Sequence, residues 1–302
     1  MKRIKWIAAL GIFLIAFSLN VSAKRFPHKD KAQIAYNQGN YAAALALWEK
    51  SIAKYERRHK EVKFPFYTKA GMAAIKLKKT DEARQLFEKA IHSAFVSPVA
   101  YVELAKIYRK IDNLSLEIFT LENYEKKYPD GKAIEAVRKR LFVTYVESEN
   151  WDEALKLWGK LPEQVKNSIA YKTDYLKVNR ALKNREVSDR ISSEILKSDP
   201  KNVTALDWKA KKYFWLAENR YQAELKIYNK NKTRRQYVEL LRVFKVVTVN
   251  FKRSLNYFKK LYPLQSTAEN ANYLGNIYAR LNDDAKAKYY HYVADKKKAA
   301  NK

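Results

Sequence analysis

Side chains that could perform catalysis are few and dispersed in this chain. None of the four histidines has another histidine or a carboxylate at position i+3 or i+4 in an apolar context, which a zinc or hydrolase site on a helix would need. The acidic pairs Asp81-Glu82 and Asp283-Asp284 lie near the starts of expected helices, where negative charge stabilises the helix dipole. The sequence therefore predicts neither an enzyme nor a cofactor or metal site. The histidines are His28, His59, His92 and His291.

Basic residues are the chemically notable group. The 302 residues include 61 lysines and arginines against 32 acidic residues, which gives a formal net charge of +29. A single-sign field of this size attracts anions over long distances. Because cysteine is absent, disulfides, thiolate metal sites and an acylated cysteine anchor are excluded.

Regularly spaced prolines indicate which secondary structure carries these basic residues. The seven prolines are 38, 33, 31, 33, 38 and 63 residues apart, and the last interval is close to two periods. Proline cannot continue a helix, so a period near 34 predicts helical hairpins joined by proline-containing loops. Apolar residues recur at helical spacing, as in Ala42, Leu45, Trp48 and Ile52. These patterns predict an all-α solenoid of stacked hairpins.

The repeats resemble the tetratricopeptide repeat family. Residues 273–280 (YLGNIYAR), followed by Ala287 and Ala294, show the pattern best, and Gly71 with Ala83, Phe87 and Ala90 repeats it. The resemblance implies a right-handed α-solenoid of about eight helix-turn-helix repeats. It also places Trp48 and Trp158 in the core. A glycine at the position of Gly71 and Gly275 allows the two helices of a hairpin to approach closely.

Repeat boundaries follow from this register. Residues 1–23 are expected to be a signal peptide and residues 24–302 the repeat domain. Good matches to the repeat cover 28–61, 64–97, 135–168 and 268–302. Weaker matches cover 98–131, 169–202, 203–236 and 237–267, and an extra residue is needed near Asn219.

The family resemblance also implies a binding surface. In that family the first helix of each repeat lines a concave groove, and basic residues occupy several of those positions here. We expect these side chains to form a ladder of positive charge, and we expect Lys106, Arg109, Lys177 and Arg180 to be exposed. The groove positions are Lys69, Lys76, Lys106, Arg109, Lys110, Lys139, Lys177, Arg180, Lys211 and Arg280.

The N-terminus predicts export. Lys2, Arg3 and Lys5 precede an apolar stretch over residues 7–19, and Val21-Ser22-Ala23 suits signal-peptidase cleavage. Thirteen apolar residues are short for a membrane span, which needs about 20. The expected location is therefore the periplasm. The alternative is an inner-membrane anchor formed by residues 7–19, and membrane contact is expected only if that segment is retained.

Two binding functions remain open at this point. The first is a non-enzymatic extracytoplasmic scaffold that binds a protein partner, through an acidic segment, in its basic groove. The alternative is a binder of an anionic envelope polymer such as lipopolysaccharide, glycan or nucleic acid, whose binding would weaken steeply with salt. An enzyme with an unrecognised site is the least favoured class, and no small-molecule cofactor is expected.

Overall fold

A computed structural model describes residues 30–58, 60–62 and 64–300. In this part of the chain 79% of the residues lie in 15 helices, and no strand is present. The expected signal peptide, together with His28 and His59, lies outside the described residues. The all-α solenoid that the sequence predicts is confirmed.

The helices pair as hairpins of neighbouring segments. The first eight are α1 (Lys31–Asn37), α2 (Tyr41–Glu56), α3 (Phe66–Lys76), α4 (Thr80–Ile91), α5 (Pro98–Lys110), α6 (Leu114–Lys127), α7 (Ile134–Glu147) and α8 (Trp151–Trp158). The others are the single turn α9 (Glu163–Lys166), α10 (Ile169–Ala181), α11 (Arg185–Ser198), α12 (Val203–Asn231), α13 (Arg234–Leu261), α14 (Ala268–Arg280) and α15 (Asp284–Ala300). The described part of the chain thus contains seven hairpins, and each packs on the next.

Five of the hairpins lie within the repeat intervals expected from the sequence, and a sixth, α7–α8, begins one residue before its interval 135–168, but residues 203–267 do not form the two repeats expected there. That segment is one hairpin of two long helices, α12 and α13, of 29 and 28 residues. No proline or glycine lies between Pro200 and Pro263, so nothing in the sequence interrupts α12 near Asn219. The double proline interval therefore marks one hairpin of twice the usual length.

The turn inside each hairpin uses the same backbone device. One residue per turn has a positive φ, in the left-handed region where a helix commonly ends. Only the first turn uses glycine, which adopts this conformation without steric cost. The seven residues are Gly39, Lys78, Asp112, Glu149, Lys183, Lys232 and Asn282.

Small residues let the two helices of a hairpin pack closely. A Cβ at Gly71 would lie 2.6 Å from the ring of Phe87, which is fully buried on α4. A Cβ at Gly275 would lie 2.7 Å from the ring of the half-buried His291 on α15. Both glycines therefore sit where the first helix of a hairpin contacts the second.

Candidate functional site

The expected basic groove is largely neutralised by carboxylates. Eight of its ten cations form an ion pair, so the ladder is not a continuous free positive surface. Lys76 and Lys110 form no ion pair with any described residue and are exposed. The expectation of exposed side chains is wrong for Arg109 and Arg180, which are half-buried against their partners. The paired residues are Lys69, Lys106, Arg109, Lys139, Lys177, Arg180, Lys211 and Arg280.

Several of these ion pairs join one hairpin to the next. Lys69 on α3 reaches Asp30, the N-cap of α1, at 3.2 Å. The Arg180 guanidinium on α10 donates to Asp207 on α12 at 2.6 Å. By contrast, Lys106, Lys139 and Lys177 pair with a carboxylate on their own helix. The first group stabilises the stack, and the second consists of ordinary exposed helix pairs that contribute little.

A four-residue network on α5, α6 and α7 shows how the paired cations act. Glu117 is almost fully buried, and the Arg140 guanidinium donates to both of its carboxylate oxygens, at 2.6 and 3.2 Å. Arg140 also donates to Glu147 at 3.0 Å, and Arg109 donates to both oxygens of Glu147 at 2.6 and 2.9 Å. Because every guanidinium here already has a carboxylate, this part of the groove offers little free charge to a ligand.

Lys211 occupies the same kind of environment on α12. It lies 3.0 Å from Asp207 and 2.9 Å from Glu269 on α14. Burial alone would lower the pKa of Lys211, but the two carboxylates outweigh that effect and raise the pKa above its usual value. Lys211 therefore stays charged and links α12 to α14.

A pocket of about 900 Å³ lies where the end of α10 and the start of α11 face the middle of α12. Its lining contains five cations and no carboxylate residue, together with two tryptophans. We call this site the basic tryptophan pocket. The lining residues are Arg180, Arg185, Trp208, Lys211, Lys212, Trp215, Leu216, Asn219 and Arg220.

Several charged and apolar side chains in this pocket are exposed and available to a ligand. Arg185 and Arg220 are exposed and form no ion pair or side-chain hydrogen bond with any described residue. Trp215 is 48% exposed and Leu216 is 50% exposed, so the pocket also presents apolar surface. The Trp208 indole nitrogen is buried and has no hydrogen-bond partner. An unpaired buried donor costs free energy until an acceptor reaches it.

Sequence reasoning named Arg180 and Lys211 but missed the tryptophans beside them. Trp208 and Trp215 are seven residues apart on α12, a spacing that puts both indoles on one helix face. Lys211 and Lys212 lie between them. This Trp-x-x-Lys-Lys-x-x-Trp pattern could have indicated a mixed basic and aromatic surface.

The other two tryptophans considered from the sequence belong to the core. Trp48 is 1% exposed within the first core cluster. Trp158 is half-buried and stacks on Tyr175 with ring centroids 4.1 Å apart. In the part of the chain that the structure describes, no group of three or more His, Asp and Glu side chains could hold a metal ion.

Comparison with known families gives the same assignment as the hairpin geometry. Tetratricopeptide repeat models match residues 30–61 and 64–94. These segments contain the hairpins α1–α2 and α3–α4. Proteins of this family are typically non-catalytic scaffolds for protein–protein interaction.

Solved structures with a similar fold share little sequence with this chain. The C-terminal part of a TPR repeat-containing protein from Cytophaga hutchinsonii is 15% identical, with a TM-score of 0.46, and the match covers 91% of this chain and 97% of that one. A tetratricopeptide repeat protein from Parabacteroides merdae is 13% identical, with a TM-score of 0.40, covering 89% and 91%. YrrB, described as a TPR protein with an unusual peptide-binding site, is 19% identical, with a TM-score of 0.42, covering 60% and 88%.

No curated protein matches the chain. The distant structural likenesses carry no function to it, so the assignment rests on the two matched repeats and on the hairpin pattern that continues from α5 to α15. Residues 30–61 and 64–94 are tetratricopeptide repeats, and the hairpins from α5 to α15 continue the same all-α solenoid.

Proposed function

We propose that this protein is an extracytoplasmic interaction scaffold that binds an acidic segment of a protein partner in the basic tryptophan pocket. The observation that carries the proposal is the combination of unpaired Arg185 and Arg220 with the exposed Trp215 indole in one pocket. Of the other groove cations, all but Lys76 and Lys110 are paired with carboxylates, so we place the binding site in this region.

Each part of the pocket suits a different part of such a ligand. Guanidinium groups bind carboxylates with two parallel hydrogen bonds. Tryptophan supplies a large apolar contact at low cost in conformational entropy and is common among the residues that dominate binding energy. An extended acidic segment with an apolar or aromatic anchor residue fits these groups.

The location outside the cytoplasm is supported by sequence alone. Residues 1–23 have the basic, apolar and small-residue regions of a secretory signal. Removing them would leave the chain strongly basic, because they hold only three of its 61 basic residues. A basic scaffold in that compartment would meet acidic proteins and also anionic envelope polymers, so the experiment must separate these two ligands.

Capture of partners from the native host tests the proposal. The double variant Arg185→Glu and Arg220→Glu should bind the partner roughly tenfold more weakly, because two surface charges are reversed. Trp215→Ala should weaken binding by a similar factor through loss of the apolar contact. The control is Lys126→Glu with Lys127→Glu on α6, which makes the same change in net charge at exposed residues outside the pocket.

Equal weakening by the pocket variant and the α6 control would mean that the charge acts only as a general field, and it would refute the pocket. Binding to the partner should also decline with salt, over a screening length of about 8 to 10 Å at physiological ionic strength. Lipopolysaccharide, glycan or nucleic acid should not displace the partner. If one of these polymers does so, and binds the pocket double variant and the α6 control equally well, the protein is a polymer binder and not a binder of an acidic protein segment.

A further inference from the structure

The hairpin α12–α13 extends beyond the stack of repeats. The last side chain of the neighbouring α14, Arg280, pairs with Glu218 at 2.6 Å and lies 4.3 Å from the ring centroid of Tyr221. Over residues 222–243 the side-chain hydrogen bonds and ion pairs lie within α12, within α13 or in the turn between them, and one ring contact joins the two helices. We call this segment the arm. Its ten or so residues per helix correspond to a length of about 15 Å.

Positive charge is concentrated at the tip of the arm. Residues 226–235 contain five cations and no acidic residue. None of the five forms an ion pair with another described residue, and all are exposed. The five are Lys226, Lys230, Lys232, Arg234 and Arg235.

Two of these cations occupy positions that the helix itself disfavours. Arg234 and Arg235 are in the first turn of α13, which contains no acidic residue. The positive end of the helix dipole lies there and favours negative side chains. Local helix stability does not explain these two arginines, whereas contact with a negatively charged partner would.

Exposed apolar side chains surround the same tip. Ile227 is 50% exposed, Tyr237 is 48% exposed, and Val238 and Leu241 are 43% and 42% exposed. The rings of Tyr228 and Tyr237 lie 5.9 Å apart across the hairpin. Tyrosine is enriched where an apolar region meets water at a membrane surface.

The shape and charge of the tip select among possible partners. A second copy of the arm would repel it, because both tips carry the same charge. The depression of about 750 Å³ on the side of the tip is lined by Glu224 and Glu239 as well as by arginines, so an acidic peptide lying there would meet carboxylates. A projecting tip can instead place its cations and apolar side chains against a flat surface.

We infer that the tip of the arm docks on an anionic phospholipid membrane. Lysine and arginine bind the headgroups while Ile227, Tyr237 and Val238 enter the boundary of the acyl chains. No helix in residues 30–58, 60–62 and 64–300 is long and apolar enough to cross a bilayer. This inference does not depend on the ligand of the basic tryptophan pocket.

Vesicle sedimentation with the full chain tests the inference. The protein should bind vesicles of equal parts phosphatidylglycerol and phosphatidylcholine more tightly than vesicles of phosphatidylcholine alone. Arg234→Gln with Arg235→Gln should weaken binding to the anionic vesicles roughly 30-fold, at about fivefold per cation. The matched control is Lys259→Gln with Lys260→Gln, at the other end of α13, which removes the same charge and should bind as the original protein does.

A second variant tests the apolar contribution. The double variant Val238→Ser with Leu241→Ser should still bind anionic vesicles at low salt. High salt should abolish its binding more readily than that of the original protein, because the remaining attraction is electrostatic and is screened by salt. Equal binding by the arginine variant and its control would overturn the inference, and so would equal binding to neutral and anionic vesicles. Binding of the tip to poly-glutamate with no response to anionic vesicles would assign the arm to an acidic protein instead. Any contribution of residues 7–19 is common to all variants and cancels in these comparisons.

Discussion

Glu117 lies where the repeat pattern places a small residue, and its environment explains why a carboxylate is tolerated there. Its side chain is 1% exposed, and the Arg140 guanidinium satisfies both oxygens. A buried charge is strongly destabilising when its partner is removed, although the pair itself adds little net stability.

We predict that Arg140→Met lowers the free energy of unfolding by about 3 kcal/mol, because it leaves the Glu117 carboxylate buried and unpaired. The double variant Glu117→Ala with Arg140→Met should recover most of that loss. Urea denaturation of both variants measures the difference. A single variant as stable as the original protein, or a double variant no more stable than the single one, would show that the network does not hold α6 to α7.

Gly71 gives a second prediction at the residue scale. Gly71→Leu should reduce the free energy of unfolding by about 1 to 3 kcal/mol or more, since the added side chain meets the fully buried Phe87 ring. Gly275→Leu should cost less, because His291 is half-buried and belongs to the terminal hairpin. Thermal melts of the two variants compare them directly, and equal, negligible shifts would contradict the helix contacts described for both hairpins.

Single residues also show what sequence could and could not predict about the site. Repeat positions correctly identified Trp48 as a core residue, because its type and spacing are both dictated by hairpin packing. The same positions named Arg109 and Arg180 as exposed groove residues, yet both are half-buried and paired with carboxylates. Their carboxylate partners are 38 and 27 residues away, and no local pattern reveals a pairing of that kind.

At the scale of elements, prolines and apolar spacing predicted where most hairpins begin and end. Pro98 starts α5, and Pro65 and Pro162 are the N-caps of α3 and α9. The proline spacing does not predict the helices between Pro200 and Pro263, because a repeat period can be read only where prolines recur. A segment of this composition can form either two long helices or four short ones, and only tertiary packing decides between these alternatives.

The link between α12 and α14 depends on pH. Hydrogen bonds from Arg280 outweigh the effect of burial and hold the pKa of Glu218 below its usual value of 4.5. A carboxylate with a depressed folded-state pKa contributes stability above its unfolded pKa, and that contribution is lost as pH falls through the folded value. The pair therefore stabilises the base of the arm at neutral pH and not in acid.

Glu218→Gln should accordingly lower the free energy of unfolding by about 1 to 2 kcal/mol near neutral pH. The difference from the original protein should shrink as the pH falls from the usual pKa of 4.5 through the lower folded-state pKa, because the carboxylate then becomes protonated. Urea denaturation at neutral pH and in acid measures this difference. Glu239→Gln is the control, because the Glu239–Arg242 pair is exposed and contributes little. A Glu218→Gln deficit that persists unchanged in acid would contradict the assigned role of the pair.

For the whole molecule, the distribution of charge matters more than its total. The formal excess of +29 suggested a continuous basic groove, but eight of the ten groove cations are paired with carboxylates, and five of these cations link one hairpin to another. Unpaired cations recur beside exposed apolar side chains in the basic tryptophan pocket and at the tip of the arm. A single scaffold could thus bind a protein segment through the pocket while the arm contacts a membrane.

Site-specific photo-crosslinking in the native host tests whether the basic tryptophan pocket is the surface that binds the partner. A photoreactive amino acid at Asn219 would lie in the pocket lining, and one at Tyr289 would lie on the exposed side of α15, where 60% of that residue is accessible. We predict that one protein partner with an acidic segment is crosslinked from position 219 and not from position 289. Crosslinking of that partner from 289, with none from 219, would contradict it.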